Sequence, residues 1–272
     1  MSLGDWPLAA LREQLAPLLP GLLIEVLPTI DSSNTELMRR ARKGALPPTL
    51  LIAEEQTAGR GRQGRSWYSG AGDVLAVSLG LPYAPRDWSG LSLAVGISVA
   101  ESLQPHLPAR ASHRPRIELK WPNDLWLADG RKLAGILIET AEIADGSGQR
   151  CAIVGIGLNL QPPPEQGLRT PAACLQDVDD TLDGPAALLR YAAPLVRTLL
   201  GFAAYGFAPL QPRFEQRDYL RGKAVVLSDG TRGRALGVDD DGALRMETAA
   251  GVQRITSAEV SVRPAPADAR EH

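Results

Sequence analysis

The sequence predicts an α+β fold: a mixed or antiparallel sheet with helices on one side, followed by a small C-terminal β-barrel. Apolar segments of strand length alternate with segments of helical periodicity in the first part of the chain. Three strand-like segments separated by turn signals then follow over residues 117–160. Five short, evenly spaced strand-like segments come last. We therefore expect a large domain over residues 1–218, the small barrel over 219–265 and a disordered tail over 266–272.

The elements of the first half follow from hydrophobic periodicity and from their boundary residues. We expect strands over 22–27, 50–53 and 74–81, and helices over 7–19, over 91–103 and from within 31–34 to Gly44. Ser33 followed by Glu36 three positions later is a capping-box signature for the helix that ends at Gly44. Pro47 and Pro48 favour extended backbone directly before the second strand.

The second half alternates between strand signals and one long helical segment. We expect strands over 117–127, 133–143 and 151–160, a helix over 186–202, and barrel strands over 224–227, 233–238, 243–247, 251–255 and 260–262. Asp-Gly pairs mark tight turns between several of these strands. Residues 117–160 therefore form an antiparallel meander, and the boundary of the barrel falls at 218–222.

Composition limits the classes of function that the chain can have. The 272 residues are 44% apolar, which is ordinary for a globular protein, and the net charge of −2 provides no general basic field for nucleic acid. The two cysteines match no metal or redox spacing. We find no leader-like N-terminus and no apolar run that we expect to span a bilayer. We therefore expect a cytoplasmic protein that does not act at a membrane.

Residues 59–67, which we call the arginine loop, alternate glycine with arginine and end at Trp67. Glycine lets backbone N–H groups approach a ligand closely, and arginine offers a planar fork of donors for carboxylate and phosphate oxygens. The loop therefore predicts a site for an anion with charge in several places, such as a pyrophosphate or a carboxylate that meets a phosphate. An RNA-binding tail is disfavoured because strand-like segments flank the loop. A dinucleotide fingerprint is disfavoured because no helix opens at the glycines.

Three other segments carry residues that can do chemistry, and each has a plainer structural explanation. Residues 31–34 can be a helix cap, and residues 120–124 can be a strand end with an Asx turn. Lys132 within 131–139 can be a solvated hairpin charge. Glycines inside the strands at 131–139 and 154–160 weaken those strands unless a ligand packs on their backbone. A flat ring would fit there.

Taken together, in this order and spacing, these segments resemble the biotin protein ligase family. The matching strings are DSSN (31–34), EEQTAGRGRQGRSW (54–67), KWPNDLWL (120–127), RKLAGILIE (131–139) and VGIGLNL (154–160), with RGKAVVL (221–227), DDDGAL (239–244) and SVR (261–263) towards the C-terminus. The resemblance implies a class II synthetase-like catalytic domain and an SH3-like barrel. It implies an enzyme that activates biotin with ATP as biotinyl-5′-AMP and transfers it to a lysine of a biotin carboxyl carrier protein.

The resemblance also implies roles for individual residues. Arg60, Arg62 and Lys132 would be catalytic. The implied biotin-binding residues are Ser32, Ser33, Asn34, Gln56, Arg60, Gly61, Arg62, Lys132 and Gly135. The implied nucleotide-binding residues are Arg62, Arg65, Trp67, Lys120, Asn123, Asp124 and Asn159. No dedicated metal site is expected, although Asp124 can approach a magnesium ion that arrives with ATP.

Some members of the family are also repressors with an N-terminal helix-turn-helix. Only about thirty residues precede the DSSN string, so we expect neither DNA binding nor repressor activity. We expect a monomer or a homodimer. Two other readings stay open at this point: a related acyltransferase such as a lipoate ligase, and a non-enzymatic nucleotide or RNA binder that uses the arginine loop.

Overall fold

The computed structural model describes residues 6–44, 46–109, 114–162, 170–256 and 262–265. The helices are α1 (Leu8–Leu15), α2 (Ser33–Arg42), α3 (Leu91–Leu103), α4 (Gly184–Tyr205) and α5 (Gln211–Glu215). The first seven strands are β1 (Leu23–Leu27), β2 (Thr49–Ala53), β3 (Val74–Pro82), β4 (Ile117–Lys120), β5 (Asp124–Leu127), β6 (Lys132–Glu142) and β7 (Arg150–Asn159). The last five are β8 (Ala224–Leu227), β9 (Arg232–Val238), β10 (Leu244–Thr248), β11 (Gly251–Ile255) and β12 (Val262–Pro264).

The large domain is built on a seven-stranded sheet in the order β1-β2-β3-β7-β6-β5-β4. β1 and β2 are parallel, and every other neighbouring pair is antiparallel. The expected mixed sheet is therefore confirmed, as is the meander over β4 to β7.

Helices cover both faces of this sheet, so the expectation of helices on one side is wrong. Leu50 and Ile52 of β2 pack into the large core together with α1, α3 and α4. Leu51 of the same strand points the opposite way and packs against Leu37 and Ala41 of α2. Because β2 is buried at every position and apolar on both faces from Leu50 to Ala53, its sequence does not show the alternation that reveals a strand with one exposed face.

The C-terminal strands form a five-stranded antiparallel sheet in the order β11-β10-β9-β8-β12. Within the residues that the structure describes, β11 and β12 do not pair, so the expected closed barrel is not found. Part of the strand expected at 260–262 and the whole tail at 266–272 lie outside the described residues.

Two local expectations also need correction. The strand region expected at 117–127 is two strands, β4 and β5, because Pro122 interrupts the ladder at a turn whose Trp121–Pro122 peptide is cis. The N-cap of α2 is Ser32 rather than Ser33: Ser32 is extended, and its hydroxyl accepts from the Thr35 N–H. Ser33 and Asn34 consequently lie in the first helical turn, with their side chains free for other contacts.

The helix α4 is long and apolar enough, by length and composition, to cross a membrane, which the sequence analysis did not expect. Half of its most apolar window is buried inside the protein. The buried residues belong to the core that α4 shares with α1 and α3. Packing in the protein core therefore accounts for the apolar character of this helix.

Tyr191 on α4 is fully buried, and its hydroxyl has no hydrogen-bond partner among the described residues. We expect Tyr191→Phe to raise the free energy of unfolding by about 1 kcal/mol, because it removes a buried unpaired hydroxyl. Tyr83→Phe is the matched control, since the Tyr83 hydroxyl donates to the Leu199 carbonyl at 2.7 Å. That change should cost about 1 kcal/mol. Urea unfolding of both variants measures the two effects, and equal destabilisation would contradict the expectation.

Candidate active site

The floor of the site is made of small residues aligned across the sheet on the face that carries α2. Strand register places Ala76, Gly157 and Gly135 in one row. A Cβ atom at Gly157 would lie 2.5 Å from Nε1 of Trp67, so the indole rests directly on the backbone of β7. Gly135 contacts the other end of the same ring. The glycines predicted to lie under a ligand thus also seat Trp67 of the arginine loop.

A polar wall rises from one end of this floor. Ser78, buried in the centre of β3, places its hydroxyl 2.7 Å from Ser33 Oγ and 2.6 Å from Asn34 Oδ1. Gln56 Oε1 accepts from both the N–H and the hydroxyl of Ser33. Gly155 must be glycine, because a Cβ there would collide with Asn34 Oδ1. The wall presents hydroxyl and amide groups that are held by one another in a nearly dry site.

Glu139 joins this wall to the arginine loop. One carboxylate oxygen accepts from Asn34 Nδ2 at 3.1 Å, and the other lies 3.1 Å from Nη1 of Arg60. Arg60 also reaches the Thr35 hydroxyl at 3.4 Å. The first arginine of the loop is therefore held at the start of α2.

The arginine loop folds back on itself. The Gly61 N–H donates to the Arg65 carbonyl at 2.7 Å, and the Trp67 N–H donates to the Gly59 carbonyl at 2.8 Å. Gln63 lies in the left-handed region at φ 55°. The Arg62 guanidinium reaches Asn123 Oδ1 at 3.3 Å, and burial lowers its pKa.

A cluster of cations lies where the loop meets the turn between β4 and β5. Lys132 Nζ is 2.7 Å from Asp124 Oδ1 and 5.1 Å from the centre of the Trp67 ring. Lys120 is buried, with Nζ 4.9 Å from the centre of the Trp126 ring. Burial lowers the pKa of Lys120 to about 8, although Asp124 opposes the shift. A fixed positive charge at such a dry position binds an anion far more strongly than one in water.

These residues line two neighbouring cavities. The first has a volume of about 150 Å³ and contains the polar wall and the small-residue floor. The second, of about 620 Å³, extends from the cation cluster to the C-terminal sheet. Both are lined by Arg62, Arg65, Ser66, Trp67, Asn123, Asp124 and Lys132. Ligands in the two cavities would meet at this shared wall.

The residues singled out in the sequence divide between these cavities. The nine residues predicted to bind biotin all line the first cavity, and the seven predicted to bind the nucleotide all line the second. Asn159 also has a structural role. Its amide nitrogen donates to the backbone carbonyls of Lys132 and Ala173, which fixes the start of β6. Only its oxygen stays available for a ligand.

The sequence reasoning missed several residues of the site. Ser78 is the one polar residue in the apolar run 74–79, which is a readable signal. Glu139 ends the quoted string 131–139, but nothing in the string revealed its two partners. Val262 and Arg263 line the second cavity from the C-terminal sheet. No local pattern predicts that these two residues reach the cavity, because this depends on how the C-terminal sheet packs against the rest of the chain.

Comparison with known proteins decides the family. Residues 26–159 match the Biotin/lipoate A/B protein ligase family, and residues 222–263 match the Biotin protein ligase C terminal domain. The chain is 34% identical to the bifunctional ligase/repressor BirA of Escherichia coli, covering 93% of this chain and 78% of that one. It is 33% identical to the biotin–[acetyl-CoA-carboxylase] ligase of Paracoccus denitrificans, covering 86% and 98%. The chain belongs to the biotin protein ligase family.

Solved structures of biotin protein ligases agree with this assignment. The enzyme from Aquifex aeolicus, in complex with biotin and ATP, superposes with a TM-score of 0.74 at 26% identity. The superposition covers 89% of this chain and 99% of that one. The two matched family segments hold the arginine loop, the turn between β4 and β5, the glycine floor and Arg263. The sequence features that first indicated a biotin protein ligase therefore lie in the parts of the fold that build the two cavities.

Proposed function

We propose that this chain activates biotin with ATP as biotinyl-5′-AMP in the two joined cavities and then transfers the biotinyl group to a lysine of a biotin carboxyl carrier protein. One observation carries the proposal: the wall shared by the two cavities contains the cations Arg62 and Lys132. An acid bound in the first cavity and a nucleotide bound in the second would meet at that wall. Membership of the biotin protein ligase family supports the same reaction.

The first cavity suits the head of biotin. Its polar wall offers the hydroxyls of Ser33 and Ser78 and the amides of Asn34 and Gln56, all held in place by mutual hydrogen bonds. A ureido ring has two N–H donors and one carbonyl acceptor, which such groups can pair. The acid tail would run past the Trp67 indole, which lies on Gly135 and Gly157, towards the cations.

The chemistry then follows from charge. A carboxylate oxygen of biotin attacks the α-phosphorus of ATP, the bond to the β-phosphate oxygen breaks, and pyrophosphate leaves. Negative charge grows at the α-phosphate in the transition state, and fixed cations in a site closed to water stabilise it. In the second step the carrier lysine attacks the acyl carbon and AMP leaves. The chain needs no nucleophile of its own, because the attacking amine belongs to the carrier.

The described residues around the second cavity offer one carboxylate to a metal ion. No cluster of three metal-binding side chains is present among them, and Asp124, the carboxylate of the second cavity, is already paired with Lys132. We propose that magnesium arrives bound to the triphosphate of ATP. We further propose a cytoplasmic protein that acts as a monomer or a homodimer and meets the carrier domain there.

The titration of Lys120 predicts a pH dependence. Because the pKa of this buried lysine lies at about 8, its charge is present below that pH and is lost above it. We expect kcat/KM for ATP to be level below pH 8 and to fall by about tenfold per unit above it. Lys120→Met should give a low value without this inflection. If kcat/KM for ATP still declines above pH 8 in Lys120→Met, the inflection comes from another group.

An ATP–pyrophosphate exchange assay with a panel of acids tests the proposed function. Exchange with biotin, but not with lipoate or octanoate, is the expected result. Exchange with lipoate alone would make the chain a lipoate ligase. No exchange with any acid, together with RNA affinity that falls steeply with salt, would instead support a nucleic-acid binder.

A further inference from the structure

Trp121 occupies an unusual place in the turn between β4 and β5. Its neighbours Lys120, Pro122, Asn123 and Asp124 all line the second cavity, whereas Trp121 lines neither cavity. Its side chain is only 1% exposed. A residue in the middle of a ligand-binding turn thus points away from the ligand and into the protein.

The indole of Trp121 reaches the C-terminal sheet. Its Nε1–H donates to the Gly242 carbonyl at 3.0 Å, within the turn that joins β9 to β10. The same turn packs closely on the start of α3, because a Cβ at Gly242 would lie 2.7 Å from the Cα of Gly90. Gln211 of α5 holds the same region by donating from Nε2 to the Val238 carbonyl at 2.7 Å. Two donors from the large domain therefore fix one end of the small sheet.

The other end of the same sheet forms part of the second cavity. β10 pairs with β9, β9 with β8, and β8 with β12. β12 brings Val262 and Arg263 to the wall of this cavity. The place of Arg263 thus depends on where the β9–β10 turn is anchored, together with the packing of this sheet in the main core.

We propose that Trp121 is a positioning residue for the nucleotide. It ties the turn that holds Lys120 and Asn123 to the sheet that carries Arg263, and it thereby fixes the width of the second cavity. This inference rests on the proposed function, since it assigns ATP to the second cavity. The tie acts on the nucleotide through Arg263, because the C-terminal sheet lines the second cavity and not the first.

The test compares two anchor variants with a matched control. Trp121→Phe keeps a ring but removes the donor, and Gln211→Met removes the second donor at nearly constant length. Trp6→Phe is the control: the Trp6 indole also donates one hydrogen bond, to Glu54 at 3.1 Å, but it has no link to the C-terminal sheet. Steady-state pyrophosphate release with biotin and ATP gives KM for each substrate.

We expect each anchor variant to raise KM for ATP by about five- to tenfold, the loss of one buried hydrogen bond, with KM for biotin unchanged. The control should change neither. Gln211→Met keeps the test valid if Trp121→Phe folds poorly. An unchanged KM for ATP in both anchor variants, or equal rises for biotin and ATP, would overturn the inference. A wild-type chain that does not turn over biotin and ATP would instead refute the proposed function.

Discussion

Lys132→Met is expected to lower kcat/KM for biotin-dependent adenylate formation by about 100- to 1000-fold, the range seen when one fixed donor to a developing anion is removed. Lys132 Nζ lies in the wall shared by both cavities, 2.7 Å from Asp124. Methionine keeps most of the side-chain length and the contact with Trp67. It leaves Asp124 without its cation, facing a carboxylate and a triphosphate. Biotin-dependent pyrophosphate exchange measures the loss.

A double variant separates charge from packing in this prediction. Asp124→Asn in the Lys132→Met background removes the orphaned negative charge, so the double variant should be no less active than Lys132→Met alone. An additional large loss in the double variant would mean that the two residues act independently. If the exchange rate of Lys132→Met stays within about threefold of the wild-type rate, Lys132 does not take part in adenylate formation.

Much of this site was predictable because the residues assigned to it lie in short local segments of the sequence. The arginine loop, the turn at 120–124 and the glycines of 131–139 each carry their functional residues within a few positions of one another. Each segment also contains a residue that shapes the local backbone. Pro122 does so at the turn, and Gly135 leaves room for a ring to pack on the strand. The fold then needs only to bring the strings together, and the strand register does so.

What escaped prediction depends on long-range packing. The second helical layer was missed because β2 is apolar on both faces, and a strand of that kind has no two-residue alternation. The contribution of Arg263 to the second cavity was missed because no periodicity encodes how the C-terminal sheet sits on the large domain. Glu139 was missed for a related reason: its partners Asn34 and Arg60 are distant in sequence.

Arg62→Gly is expected to release the intermediate biotinyl-5′-AMP before it reacts with the carrier. The Arg62 side chain lines both cavities and ties the arginine loop to the β4–β5 turn through Asn123 Oδ1. Biotinyl-5′-AMP is a mixed anhydride that reacts with water and with any lysine it meets, so it must stay covered until the carrier arrives. Glycine removes the tie and adds backbone freedom to the loop. The adenylate should then escape before transfer.

The readout is the ratio of biotin attached to a bystander protein, such as serum albumin, to biotin attached to the carrier. We expect this ratio to rise by at least about tenfold in Arg62→Gly, since a single tie of this kind is worth about 1.5–3 kcal/mol. Gln63→Gly is the matched control, because it adds the same backbone freedom to the loop but leaves the bond between Arg62 and Asn123 in place. The control should keep labelling on the carrier. If Arg62→Gly also labels the carrier alone, Arg62 does not retain the adenylate, and the loop must hold it through other contacts.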